Sequence, residues 1–392
     1  PAMGHSAFLL DTHWPEFDQW CAGHSRRGDQ WLTPLDGRRW RKPNYAWNAP
    51  DGVKVHFATL PVLMRSFCQR RLPVQGAVRQ AALLKGDEQL AKDYAARISP
   101  ECRHLVVAQN LLPHLWRMGI LGGRTFDVLM QRWPLAELLK ILDEAAGQHP
   151  ESSTLGDFRP NPELVRAESE ALKMAGKVIT PHRAIAAGFG DRAWLLDWQF
   201  PEVSKRKGSG VRGQFFFPCS PLGRKGVFEL KKAFDGVDFK LVVLGRAREG
   251  SLEDFFEQAS PGDLEESEAL VLPAWVEHQP RLAIRALAMG VPVIATKACG
   301  LSSHELLIEL SRPSDLDAVL RNRCDGGMNS SMSNQSDQEM TLEAGTHWMC
   351  TCGKSANYPL CDGAHKGSGK GPEKLVLEEA TVIPVEHPPA GE

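Results

Sequence analysis

The sequence predicts an α/β fold: two units built on parallel sheets covered by helices, followed by a small β-rich segment. Three observations predict it. From Arg103 onward, short apolar runs that read as buried strands alternate with amphipathic helical segments, and that order calls for crossover helices on both faces of a parallel sheet. The polar, basic, glycine-rich stretch 201–213, PEVSKRKGSGVRG, reads as a hinge between two such units. Composition then changes sharply at 325–340, DGGMNSSMSNQSDQEM, a low-complexity tether expected to be disordered. Within it, Met328 is a candidate start of an independent small protein fused to the larger one.

The elements follow in order. Residues 1 to about 60 carry Trp14, Trp20, Trp31, Trp40 and Trp47 among Asp-Gly turn pairs. Tryptophan at that density builds a core more often than it stacks on a sugar or base, and no chemistry is assigned there. Residues 53–60 alternate around His56 as a strand does, and the basic segment 65–79 reads as a solvated helix or loop face. Residues 104–109 form a buried strand with a turn at 110–114, and 135–146 an amphipathic helix. Asn161 and Pro162 supply an N-cap and a first-turn proline for a helix with Leu164, Val165, Ala171 and Leu172 on its apolar face, which Gly176 stops. Strand 177–180, a helix after Pro181-His182 and strand 194–197 complete the first unit. Gly188-Phe-Gly190-Asp-Arg-Ala193 fits the dinucleotide formula, yet it follows a helix and precedes a strand, the reverse of what a pyrophosphate site needs. It reads as a helix stop and loop.

The second unit opens with strand 214–218 and the turn Gly223-Arg224-Lys225-Gly226, which starts helix 227–234. Backbone amides, a helix start and two cations converge there, as a diphosphate requires. Strand 240–245 follows. Residues 269–275 then lead through Glu277-His-Gln-Pro280 into helix 281–289, ended by Gly290 before strand 291–296, and 306–320 is expected to be a closing helical region.

At a net charge of -2 over 392 residues, composition argues against a dedicated nucleic-acid binder. No apolar run is long enough to span a bilayer and no signal segment opens the chain, so the cytoplasm is the expected compartment. Cys21, Cys68, Cys102, Cys219, Cys299 and Cys324 lack paired spacing and read as buried or free thiols. No initiator Met precedes Pro1, so a processed end or a fragment boundary is expected there.

Residues 271–296, VLPAWVEHQPRLAIRALAMGVPVIAT, are similar to the C-terminal half of retaining glycosyltransferases of the two-Rossmann GT-B type, whose pattern is a loop Glu, a Pro, a helix, Ala-x-Ala-x-Gly and a Pro-Val-Ile strand. The resemblance covers roughly residues 100 to 320. It implies two Rossmann-like domains, at 1–205 and 206–324, with a nucleotide-sugar donor bound by Arg224 and Lys225, and Glu277 opening the donor-binding segment as the candidate catalytic residue. A second Glu normally stands eight residues later and holds the donor ribose. Here that position is Arg285, and a cation cannot accept hydrogen bonds from hydroxyls.

The densest chemistry lies at 350–365, CTCGKSANYPLCDGAH. Two thiolates at Cys-x-Cys spacing can grip one iron, and Cys361 with His365 a second. Three Cys and one His also satisfy tetrahedral zinc. The segment resembles the CDGSH iron-sulfur family: Cys350, Cys352, Ser355, Pro359, Cys361, Asp362, Gly363, Ala364 and His365 fill every defined position of its pattern. That resemblance implies a [2Fe-2S] cluster in a domain at 341–392 joined by the linker 325–340, with Cys350 and Cys352 on the inner iron and Cys361 and His365 on the outer. An imidazole ligand raises the reduction potential and makes it sensitive to pH. Strands are expected at 346–349, 375–377 and 380–385. The function implied is electron or cluster transfer, or redox sensing, with a redox or cluster-acceptor partner protein and pairing as a homodimer. The alternative is a nucleotide-sugar-dependent glycosyltransferase bearing an iron-sulfur appendage.

Overall fold

Short runs of branched and aromatic residues become seven parallel strands in the computed structural model of the chain. They are β1 (Ser6–Leu9), β2 (Gln30–Thr33), β3 (Lys54–Phe57), β4 (His104–Ala108), β5 (Thr125–Leu129), β6 (Val178–Thr180) and β7 (Ala193–Leu195), in the order β3-β2-β1-β4-β5-β6-β7. Successive strand residues point to opposite faces. Leu9, Leu32, Leu105, Val107 and Val128 enter one core with Leu90, Tyr94, Leu111 and Leu172 from the helices. Phe8, Trp31, Val106, Leu129 and Ile179 enter another with Trp14, Phe17, Trp20 and Trp198. Both faces are therefore buried, which is why the strands read as continuous apolar runs. The structure describes residues 5–73, 76–245, 249, 257–258, 263–325, 338–342, 345–349, 360, 371–377 and 381–385.

The helices of this half are α1 (Pro15–His24), α2 (Thr59–Arg70), α3 (Ala77–Ala95), α4 (Leu112–Arg117), α5 (Leu135–Gln148), α6 (Pro162–Met174) and α7 (Arg183–Ala187). Asn161 caps α6 as expected, its Oδ1 accepting from the Glu163 amide at 2.8 Å. Gly188 ends α7 ahead of β7, so the glycine formula there is a helix stop.

A second parallel sheet follows: β8 (Val211–Phe217), β9 (Lys240–Val243), β10 (Glu257–Gln258), β11 (Ser267–Leu272), β12 (Val293–Thr296) and β13 (Leu307–Leu310), ordered β10-β9-β8-β11-β12-β13. Its helices are α8 (Val227–Phe234), α9 (Asp263–Glu266), α10 (Arg281–Met289) and α11 (Leu316–Asp325). The expectation of a helix over 306–320 is corrected: Leu307 to Leu310 pair with β12 in parallel register, Val293 opposite Leu307, and the helix starts only at Leu316. A short apolar run suits either state, and pairing along an open sheet edge decides it. Both sheets are doubly wound and Rossmann-like, as predicted.

The chain divides into two compact units, Pro1–Gly327 and Met328–Glu392. In the second, β14 (Gln338–Leu342) pairs antiparallel with β17 (Thr381–Val385), and β15 (Gly345–Met349) with β16 (Glu373–Leu377). The expected disordered tether is thus corrected at both ends: Asp325 belongs to α11, and residues 338–340 to β14.

Candidate functional site

Where the order of a parallel sheet reverses, the loops leaving neighbouring strands part and open a crevice beyond the carboxyl ends. In the second sheet those strands are β8 and β11. After β8 the chain makes a tight turn at Gly223–Lys225, and Gly226 follows at φ +80°. A Cβ on Gly226 would lie 1.9 Å from the Pro273 carbonyl oxygen, so only glycine lets the turn approach the end of β11. The Arg224 carbonyl accepts from the amides of Trp275 and Val276, both at 3.1 Å. This seam sets Lys225 against Glu277.

Lys225 Nζ donates to Glu277 Oε2 at 2.7 Å and to the Val276 carbonyl at 3.1 Å. Glu277 Oε1 accepts from the amides of His278 (2.8 Å) and Gln279 (3.0 Å). Burial opposes ionisation of Glu277, but the Lys225 cation and those amides outweigh it and hold its carboxyl below the usual range. The Arg224 guanidinium makes no hydrogen bond among the described residues, while Glu277 and Asp157 provide opposite charge nearby. Two histidines complete the site. His182 Nδ1 accepts from the Ile185 amide, so Nε2 carries the proton and donates to the carbonyls of Glu277 (2.9 Å) and Ala298 (3.2 Å). His278 Nε2 is buried without a hydrogen-bond partner among the described residues. Burial, together with Lys225 and other nearby positive groups, pushes its pKa well below the ordinary value and keeps the ring neutral. Arg285 lies exposed on α10.

Among the backbone amides of the turn expected to meet a diphosphate, that of Gly223 donates to Glu249 Oε1 at 2.9 Å and Thr154 Oγ1 at 3.0 Å. The Glu249 carboxylate also accepts from Ser152 Oγ (2.9 Å), the Ser153 amide (2.9 Å) and hydroxyl (3.2 Å), and the Thr154 hydroxyl. Burial raises its pKa, and these donors together bring it below the ordinary range. Glu249, Thr154, His182 and His278 have no motif, and sequence reasoning misses them.

The first sheet reverses between β1 and β4. There Asn110 Nδ2 donates to Asp11 Oδ2 (2.7 Å) and Asp87 Oδ1 (3.0 Å), and Arg65 Nη1 lies 3.4 Å from Asp11 and 3.5 Å from Asp87. Burial chiefly pushes the Asp87 pKa up to about 7, against the pull of Arg65. The two sheets are joined by Arg281, which grips Glu16 with both prongs, at 2.6 and 2.7 Å, with its guanidinium 5.4 and 5.1 Å from the ring centres of Trp14 and Trp198.

Cys350, Cys352, Cys361 and His365 lie outside the described residues. The positions before the first and third cysteines are described: Met349 and Leu360 form an antiparallel bridge, and Met349 also pairs with Glu373.

The chain is thus an α/β protein with two doubly wound parallel sheets, a cluster of charged side chains at each reversal point, and an antiparallel C-terminal unit. The model for the iron-binding zinc finger CDGSH type family matches residues 323–366. No curated protein matches the chain. Solved structures similar to it include sucrose-phosphate synthase from Thermosynechococcus elongatus, at 12% identity over 82% of this chain and 89% of that one, with a TM-score of 0.49. Others are HepE from Anabaena in complex with UDP and glucose (13% identity, 82% and 90% covered, TM-score 0.43) and the UDP-forming α,α-trehalose-phosphate synthase from Burkholderia vietnamiensis (10% identity, 82% and 91%, TM-score 0.40). Among the described residues no helix is long and apolar enough to cross a membrane.

Proposed function

We propose that the protein binds a [2Fe-2S] cluster through Cys350, Cys352, Cys361 and His365, and acts in electron or cluster transfer or redox sensing. The family match over 323–366, with all nine defined positions filled, carries this reading. Three thiolates and one imidazole suit a two-iron cluster by donor chemistry, and the cluster would supply a one-electron couple. The Met349–Leu360 bridge supports it, because the chain entering the first pair of ligands is held beside the chain entering the second. Pairing of two chains, with a redox or cluster-acceptor protein as partner, belongs to the same proposal. Protein expressed aerobically with iron is expected to be coloured and to contain iron and acid-labile sulfide at a ratio of about one, both lost in Cys361→Ala. Stoichiometric zinc without labile sulfide overturns it.

A second reading rests on a separate observation: Arg224, Lys225 and Glu277 meet at the carboxyl ends of β8 and β11, where doubly wound sheets hold ligands. It makes the first unit a nucleotide-sugar-dependent glycosyltransferase, with the donor diphosphate on Arg224 and Lys225 and Glu277 beside the donor. The diphosphate would compete with Glu277 for Lys225 and with Glu249 for the Gly223 amide. Calorimetric titration with a panel of nucleoside diphosphates is expected to show binding that weakens at least tenfold in Arg224→Ala. Absence of binding across the panel leaves that unit a scaffold.

A further inference from the structure

Residues 52–86 contain six Lys or Arg and no Asp or Glu, in a chain whose net charge is -2. This stretch holds β3 at the edge of the first sheet, all of α2 and the start of α3. One side of α2 is anchored: Val62 is 3% exposed and packs with Ala58 and Leu90. The other side carries Leu60 (70% exposed), Leu63 (42%), Met64 (61%) and Phe67 (57%). Their spacing of i, i+3, i+4 and i+7 forms one continuous stripe, a pattern that ordinarily seats a helix on a core. Here it faces outward. Val78, at the start of α3, is 65% exposed. Arg70 and Arg71 are exposed at the end of the stripe, and the Arg71 guanidinium lies 4.2 Å from the centre of the Phe67 ring. Arg65 is held by Asp11 and Asp87 and takes no part.

We infer that this face of α2 docks on an anionic lipid surface, with the apolar stripe entering the interfacial region and Arg70 and Arg71 meeting the headgroups. Both halves of the signature are needed: exposed apolar side chains supply insertion, and neighbouring cations favour negative lipid over neutral. A second copy of the chain fits poorly, because a two-fold pairing through the same patch would set one acid-free cationic segment against another. The inference is independent of both functional readings.

The full chain, incubated with vesicles of phosphatidylcholine alone or mixed with phosphatidylglycerol, is expected to sediment with the mixed vesicles at least tenfold better, and less well as salt rises. Binding is expected to be lost in the double variant Met64→Ser and Phe67→Ser. It should weaken severalfold in Arg70→Gln with Arg71→Gln, which leaves the stripe intact. All the substituted side chains are exposed, and an unchanged circular dichroism spectrum certifies the fold of each variant. No sedimentation, equal sedimentation with neutral vesicles, or binding indifferent to both variants overturns the inference. So does a dimer in light scattering that Phe67→Ser dissolves while vesicles are ignored, which would assign the stripe to a second copy.

Discussion

The two reversal points occupy matching places in matching sheets and have opposite chemistry. Between β1 and β4, two carboxylates, Asp11 and Asp87, share one guanidinium and one amide, and burial, with a smaller push from Asp11, drives Asp87 toward its protonated form. Between β8 and β11, Lys225 pairs with Glu277, which stays ionised, and Arg224 has the carboxylates of Glu277 and Asp157 nearby. The first arrangement is a sealed knot tying α2 and α3 to the sheet; the second keeps a cation, Arg224, without a hydrogen bond among the described residues. Strand order fixes where neighbouring loops part, while the residues that follow the strands decide which charges meet there.

The largest expected effect breaks the second site. Lys225→Ala strands the buried Glu277 carboxylate and should cost about 3–5 kcal/mol, read from the midpoint of a urea transition with unchanged slope. Adding Glu277→Gln should recover part of that loss. If Lys225→Ala costs nothing, the pair is less dry than its geometry implies.

Cutting the link between the sheets comes next. In Arg281→Ala, Glu16, whose side chain is fully buried, loses its cation and two rings lose theirs. About 2–4 kcal/mol is expected. Arg281→Lys should keep the charge but not the two-pronged grip, and fall between.

The first site tests the contrast by pH. Because the Asp87 pKa is raised on folding, its charged form is disfavoured in the native state, and stability is lost as pH rises from about 4 through about 7. Asp87→Asn should flatten that part of the stability profile, so its margin over wild type grows across this range. A margin independent of pH would remove the distinction between the two sites. The smallest effect is a yardstick away from both: Asn161→Ala, which deletes the α6 cap, should cost about 1 kcal/mol.

Local pattern made much of this legible. α5, α6, α8 and α10 carry apolar periodicity, Asn161 caps α6 and Gly290 ends α10, so each could be read from a single window of sequence. The basic turn and the loop carboxylate were visible for the same reason. β1 and β2 were not read, because their short apolar runs lie among the tryptophans and turn pairs of the first 60 residues. α3, the longest helix at 19 residues, was hidden by a basic segment that straddles it and α2. What escaped entirely is pairing at a distance. Glu249 finds four of its donors 95 to 97 residues away, His182 a carbonyl 95 away, and Arg281 its carboxylate 265 away. No spacing rule encodes such partners, because the fold alone brings them together.

The ladder between β15 and β16 has a consequence for the order in which the C-terminal unit forms. Met349 opposite Glu373 fixes the two ends of the intervening chain, and the bridge to Leu360 divides it. The entropy of closing a loop grows with its length, and the backbone pairs of this ladder bear part of that cost. The ladder amides are therefore expected to be protected in hydrogen exchange before any metal is added. Protection that arises only on metal addition would instead place the unit with small zinc-dependent modules, which unfold when stripped.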